Sequence, residues 1–170
     1  MNVKVKLLDK NAKVPFKKYN SDLCYDVVAT SEEEIAPNVW KYGIGLAFEI
    51  DRTRENLIGV TKPIGSKECY PTYILTDQNS QINLSVDFRP RSSVWKTGMV
   101  LSNCEGTIDE DYRGEVSAVF YHVMPSMPRY KVGDRIGQIK LGITLPMEFE
   151  VVESLKNTER GDGGFGSTGK

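Results

Sequence analysis

The chain is poor in the residues that build the commonest metal and nucleophile sites. Its 170 residues include one histidine, His122, and three cysteines, Cys24, Cys69 and Cys104. The cysteines are odd in number, widely spaced and without a CxxC pair, which argues against a disulfide framework or a zinc site and fits reduced thiols in a cytosolic-type compartment. His122 lies among alternating strand residues rather than beside a nucleophile motif, so it reads as structural. No stretch approaches the roughly 20 apolar residues that span a bilayer, and MNVKVKLLDK lacks the apolar run of a signal peptide. The expectation is a soluble, cytoplasmic protein with no membrane partner. Excess charge is missing as well. A net charge of -1 and a pI near 5.9 argue against a surface that coats nucleic acid, so a polyanionic ligand must be small and met by a few placed cations.

Sustained helical periodicity is also absent. Val3, Val5 and Leu7 alternate with Asn2, Lys4 and Lys6, the two-residue period of a half-buried strand. Similar runs recur at 45–50, 57–61, 81–88, 115–124, 134–141 and 148–155, with Gly, Pro, Asn or Asp between most of them. One short helix is expected at 93–98, opened by hydroxyl residues able to cap it. Many short strands without βαβ alternation predict an all-β fold, a barrel or jelly roll, in one domain. Residues 52–83, interrupted by Pro63, Gly65 and Pro71, read as an extended hairpin or insertion whose Tyr70 and Tyr73 suit cross-strand packing better than ligand contact.

The apolar pattern stops at Asn157. The remaining arm, 157–170, ends in RGDGGFGSTGK, which holds five of the fifteen glycines together with Arg160, Phe165, Ser167 and Thr168. Two readings stand: a disordered terminus, or a lid whose unobstructed amides close over a phosphorylated ligand. At about 3.3 Å per residue such an arm reaches on the order of 40 Å. Two further segments carry chemistry. GTIDEDYRGEV at 106–116 reads as a β-hairpin whose acids Asp109, Glu110 and Asp111 are either a solvated tip or the source of a base that activates water. PRSS at 90–93 brings Arg91, Ser92 and Ser93 to the start of the predicted helix, where they serve as phosphate ligands or as caps.

Taken in order, YDVVA at 25–29, PRSS, GTIDEDYRGEV, RIGQIKL at 135–141 and RGDGGFGSTG at 160–169 resemble the five motifs of the trimeric dUTP diphosphatases, the dUTPases. The resemblance covers nearly the whole chain. It implies a jelly-roll-like β-barrel over 1–156, with the hairpin insertion at 52–83, one short helix and a flexible C-terminal arm at 157–170 that closes an active site. It further implies hydrolysis of dUTP to dUMP and pyrophosphate by water attack on the α-phosphorus, with Asp109 as the catalytic acid that orients and deprotonates the water. By the same resemblance Asn103, Gly106, Thr107, Ile108 and Ser117 surround uracil, and Tyr112 packs beneath the deoxyribose and leaves no room for a 2'-hydroxyl. Arg91, Ser92, Ser93 and Gln138 contact phosphates, Phe165 stacks over uracil, and Arg160, Gly166, Ser167 and Thr168 grip the phosphate chain. The implied cofactor is Mg2+, touched by Asp26 through water. The implied assembly is a homotrimer with active sites shared between subunits, and no nucleic-acid partner is implied. Two rivals are a dCTP deaminase, alone or bifunctional, which has less need of the arginine and phenylalanine lid, and a non-catalytic nucleotide-binding regulator, which has little use for Asp109.

Overall fold

The alternating valines at the start of the chain form the strand they predict, β1 (Asn2–Leu7), which pairs antiparallel with β5 (Leu46–Asp51). The computed structural model describes residues 2–51 and 82–164. Between β1 and β5 lie β2 (Tyr25–Val28), β3 (Glu33–Ala36) and β4 (Val39–Gly43). After residue 82 come β6 (Asn83–Arg89), a short 3-10 helix (Ser92–Thr97), β7 (Met99–Leu101), β8 (Gly106–Asp109), β9 (Ser117–His122) and β10 (Arg135–Thr144). Two four-stranded sheets, ordered β2-β10-β6-β8 and β3-β4-β9-β7, and the β1-β5 pair surround one core. The all-β, jelly-roll-like expectation holds, although no closed barrel forms among the described residues. No described helix is long and apolar enough to cross a membrane.

Residues on β6 alternate between two environments, as a strand with two unlike faces requires. Leu84, Val86 and Phe88 enter the core beside Ile139 and Leu141 of β10 and Ile108 of β8. Phe88 meets Phe120 of the second sheet edge-on, with centroids 6.4 Å apart, and Tyr42 and Tyr130 complete the aromatic centre. Tyr42 keeps its hydroxyl satisfied by donating to the Tyr130 carbonyl at 2.9 Å, which a buried phenol needs. The opposite face of the same sheet is polar, and its register places Asp26, Gln138 and Arg89 in one row, Lys140, Asp87 and Thr107 in the next, and Gly142, Ser85 and Asp109 in a third.

Three local expectations are corrected. Residues 148–155 form no strand. Phe149, Val151 and Leu155 are exposed, because the described residues offer that segment no neighbouring strand to pair with. Segment 106–116 is not a hairpin, since β8 pairs with β6 while β9 pairs with β4 and β7; the acidic turn is a corner between two sheets. The short helix starts one residue earlier than expected and is capped by Arg91 in extended backbone with no side-chain cap hydrogen bond. The hydroxyls of Ser92 and Ser93 therefore do not cap it. The expected strand at 57–61, the insertion at 52–83 up to residue 81, and Phe165, Gly166, Ser167 and Thr168 lie outside the described residues.

Candidate active site

The corner after β8 builds the first half of the site. Thr107, Ile108, Asp109, Tyr112 and Ser117 line a cavity of about 320 Å³ together with Lys41, Glu115 and Val116. Two backbone features shape it. The Tyr112 amide donates to the Asp109 carbonyl at 3.1 Å, tightening the turn, and the Tyr112 hydroxyl donates to the Glu115 carbonyl at 3.1 Å, which pins the ring. Gly114 makes room for that ring, because a Cβ there would collide with the phenol. Asp109 is exposed, and among the described residues its carboxylate has neither an ion-pair nor a hydrogen-bond partner. Asn103 and Gly106 lie at the entry to β8, with the Asn103 amide near the space beside Gly106.

The second half gathers at the β2 edge of the same sheet face. The Asp26 carboxylate accepts from Arg91 Nε at 3.0 Å on one oxygen and from Arg135 Nη1 at 2.8 Å on the other. Gln138 is the β10 residue opposite Asp26, so it shares this polar row. Arg91 and Ser93 also border a cationic cavity of about 390 Å³ with Lys96, Arg129 and Arg135. Ser92 lies on the exposed side of the same helix. No set of three His, Cys, Asp or Glu side chains among the described residues forms a metal cage. Asp26 retains lone pairs beyond its two arginine bonds, so these residues fit Mg2+ only as a metal that draws its oxygens from a ligand and touches Asp26 through water.

Between the two halves, Asp87 is buried and bonded to Lys140 Nζ at 2.6 Å and to the Ser85 hydroxyl at 2.7 Å. Burial pushes its carboxyl up, yet the hydrogen bonds from Lys140 and Ser85 with the nearby cationic charge outweigh this and hold it below the usual carboxylate range. From strand spacing and rise, Asp26 and Asp109 are roughly 20 Å apart across the face. Arg160 lies on neither half. It is exposed in the arm, where its Nε donates to the Gly163 carbonyl at 2.9 Å. Arg135 and Lys41 were not singled out from the sequence. Arg135 carried a signal, three residues before Gln138 in RIGQIKL, whereas Lys41 reaches the cavity only because β4 neighbours β9.

Comparison with known proteins covers the whole chain. A family model described as dUTPase matches residues 58–169. The deoxyuridine 5'-triphosphate nucleotidohydrolase of Nautilia profundicola is 31% identical over 172 residues, covering 100% of both chains. That of Haemophilus influenzae is 37% identical over 129 residues, 75% of this chain and 81% of the other. Among solved structures, Staphylococcus bacteriophage 80alpha dUTPase with dUPNHPP superposes with a TM-score of 0.70 at 21% identity, covering 99% of each chain, a likeness of fold.

Proposed function

We infer the reaction from a plain premise: the chain belongs to the dUTPase family, and it hydrolyses dUTP to dUMP and pyrophosphate. The product would supply dUMP for thymidylate synthesis while limiting uracil entry into DNA. The observation that carries our reading of the site is the uncompensated Asp109 carboxylate beside a cavity walled by Tyr112. In that reading Asp109 accepts a proton from the water that attacks the α-phosphorus, a step for which a base must reach the water and keep its charge. Main-chain groups of β8 with Asn103 and Ser117 hold the uracil edge. A cytosine amino group would there face a donor and leave a polar pair unmade, at about 1–3 kcal/mol. Tyr112 excludes a 2'-hydroxyl by contact with the sugar.

Arg91, Ser92, Ser93 and Gln138 take the phosphates, so Arg91 exchanges the Asp26 carboxylate for the incoming anion. Asp26 would hold the water shell of a bound Mg2+, which would offset the charge of the phosphates. Positioning and charge stabilisation then supply most of the rate, as phosphoryl transfer requires. The separation of the two halves supports a site assembled between copies of the chain, with the Asp109 corner of one facing the Asp26 edge of another in a homotrimer. The arm at 157–170 is the closing element over the domain 1–156, bringing Arg160, Gly166, Ser167 and Thr168 to the phosphate chain and Phe165 over uracil. A soluble, cytoplasmic setting fits a nucleotide substrate. Pyrophosphate release measured across dUTP, dTTP, dCTP and UTP with Mg2+ tests the assignment. Only dUTP should react well, and ammonia release from dCTP would overturn it in favour of a deaminase.

A further inference from the structure

Three carboxylates share the polar face of the β2-β10-β6-β8 sheet, and two of them are neutralised. Asp26 is held by Arg91 and Arg135, and Asp87 by Lys140. Asp109 alone has no cation within ion-pair distance among the described residues. Its relation to Asp87 is fixed by register. Asp87 stands opposite Thr107 and Asp109 opposite Ser85, which makes the two acids diagonal neighbours about 7–8 Å apart. The Ser85 hydroxyl, lying between them, donates to Asp87 Oδ1 and so turns that carboxylate toward Lys140. Gly142 leaves the space the cluster occupies, since a Cβ there would collide with Ser85 Oγ and Asp87 Oδ2.

We propose that Lys140 and Asp87 are positioning residues for the base: their ion pair keeps a second bare carboxylate from facing Asp109, which leaves Asp109 free to hold a negative charge and to take the water's proton. The inference rests on the reading of Asp109 given above. Neither residue has to touch the substrate. At 7–8 Å on a half-buried surface, unmasking the Asp87 charge raises the pH needed to ionise a neighbouring carboxyl by about one unit. Other charged groups also face Asp109. Glu110, Asp111 and Arg113 line a second cavity with it, and Lys41 and Glu115 line the cavity of Tyr112, while Arg89 faces Asp87 along β6. All of these stay constant when only the pair is changed.

The test is the pH dependence of kcat/KM for dUTP with Mg2+ in wild type, Lys140→Met, Asp87→Asn and the double variant, with thermal unfolding followed at neutral pH. Lys140→Met should move the acidic limb upward by about one pH unit. Asp87→Asn, which leaves the Lys140 charge unpaired, should move it downward, and the double variant should return it to the wild-type position. A merely structural pair would lower the unfolding temperature and leave the limb in place, and that result overturns the proposal. If Lys140→Met does not fold, an unmoved limb in Asp87→Asn overturns it equally. A wild-type chain inactive on dUTP sinks the functional reading as well, whereas an active one with unmoved limbs sinks this inference alone.

Discussion

At the β2 edge of the polar sheet face Asp26 sits between two arginines, whereas at the β8 edge Asp109 stands exposed with no ion-pair partner among the described residues. The same carboxylate on the same surface is given different work by what surrounds it. A carboxylate clamped by two guanidinium groups fixes where those groups stand, which on the proposed reading sets the arginines that meet phosphate. A carboxylate without partners at the mouth of a cavity is, on the proposed reading, the one that meets the attacking water. The contrast also explains why three consecutive acids at 109–111 need not be equivalent, since only Asp109 lies within β8 and faces both cavities.

The sharpest way to break this contrast is to neutralise each acid in turn. Asp109→Asn should lower kcat by about a thousandfold while leaving dUTP binding nearly intact, since the phosphate and base contacts remain. Asp26→Asn should cost about tenfold, mostly in KM, through loosened arginines and, on the proposed reading, a weaker hold on the water of a bound metal. Equal losses from both substitutions, read from steady-state kinetics, would erase the distinction. Removal of the chain after Leu155 is expected to leave a folded protein with activity reduced about a hundredfold if the arm closes the site as proposed. Circular dichroism together with turnover checks this, and a fully active truncated chain would contradict the role given to the arm.

The smallest effect concerns the paired acid in the middle of the face. Because the Asp87 carboxyl titrates lower in the folded chain than in the unfolded one, its pairing stabilises the fold above the ordinary carboxyl value of about 3.9 and is lost as pH falls through the folded value. Lys140→Met should therefore cost about 1–2 kcal/mol at neutral pH, a gap that narrows below pH 4. Urea unfolding at both pH values measures it. A gap that does not change with pH would mean that Lys140 contributes packing rather than charge.

Some of this organisation was legible in the residues and some was not. The alternation at β1 and β6 and the spacing of the five motifs required only neighbours in sequence to be read. The segment 148–155 alternates equally well yet forms no strand, because alternation specifies which face is apolar and not whether a partner strand is present. The corner at 106–116 has the Gly and Asp punctuation of a hairpin, and nothing local distinguishes a hairpin from a crossing between sheets. What decides it is the pairing of β8 with β6 and of β9 with β4. Asp26, Arg91 and Gln138 were individually visible, but the clamp depends on Arg135, whose reach across to β2 is a product of strand register. The same holds for Asp87 and Lys140, 53 residues apart, which no motif links.

On the proposed reading, the separation of Asp26 and Asp109 on one face requires an active site to combine the two edges from different copies. Mixed assemblies of an Asp109→Asn chain with an Arg91→Ala chain, each inactive alone, measure this. Random mixing should restore about a quarter of wild-type dUTP turnover, since one chain supplies the base and the other the phosphate grip. Mixtures as inactive as their components, with exchange of chains verified by mass, would show that each site is built within a single chain and would contradict the account.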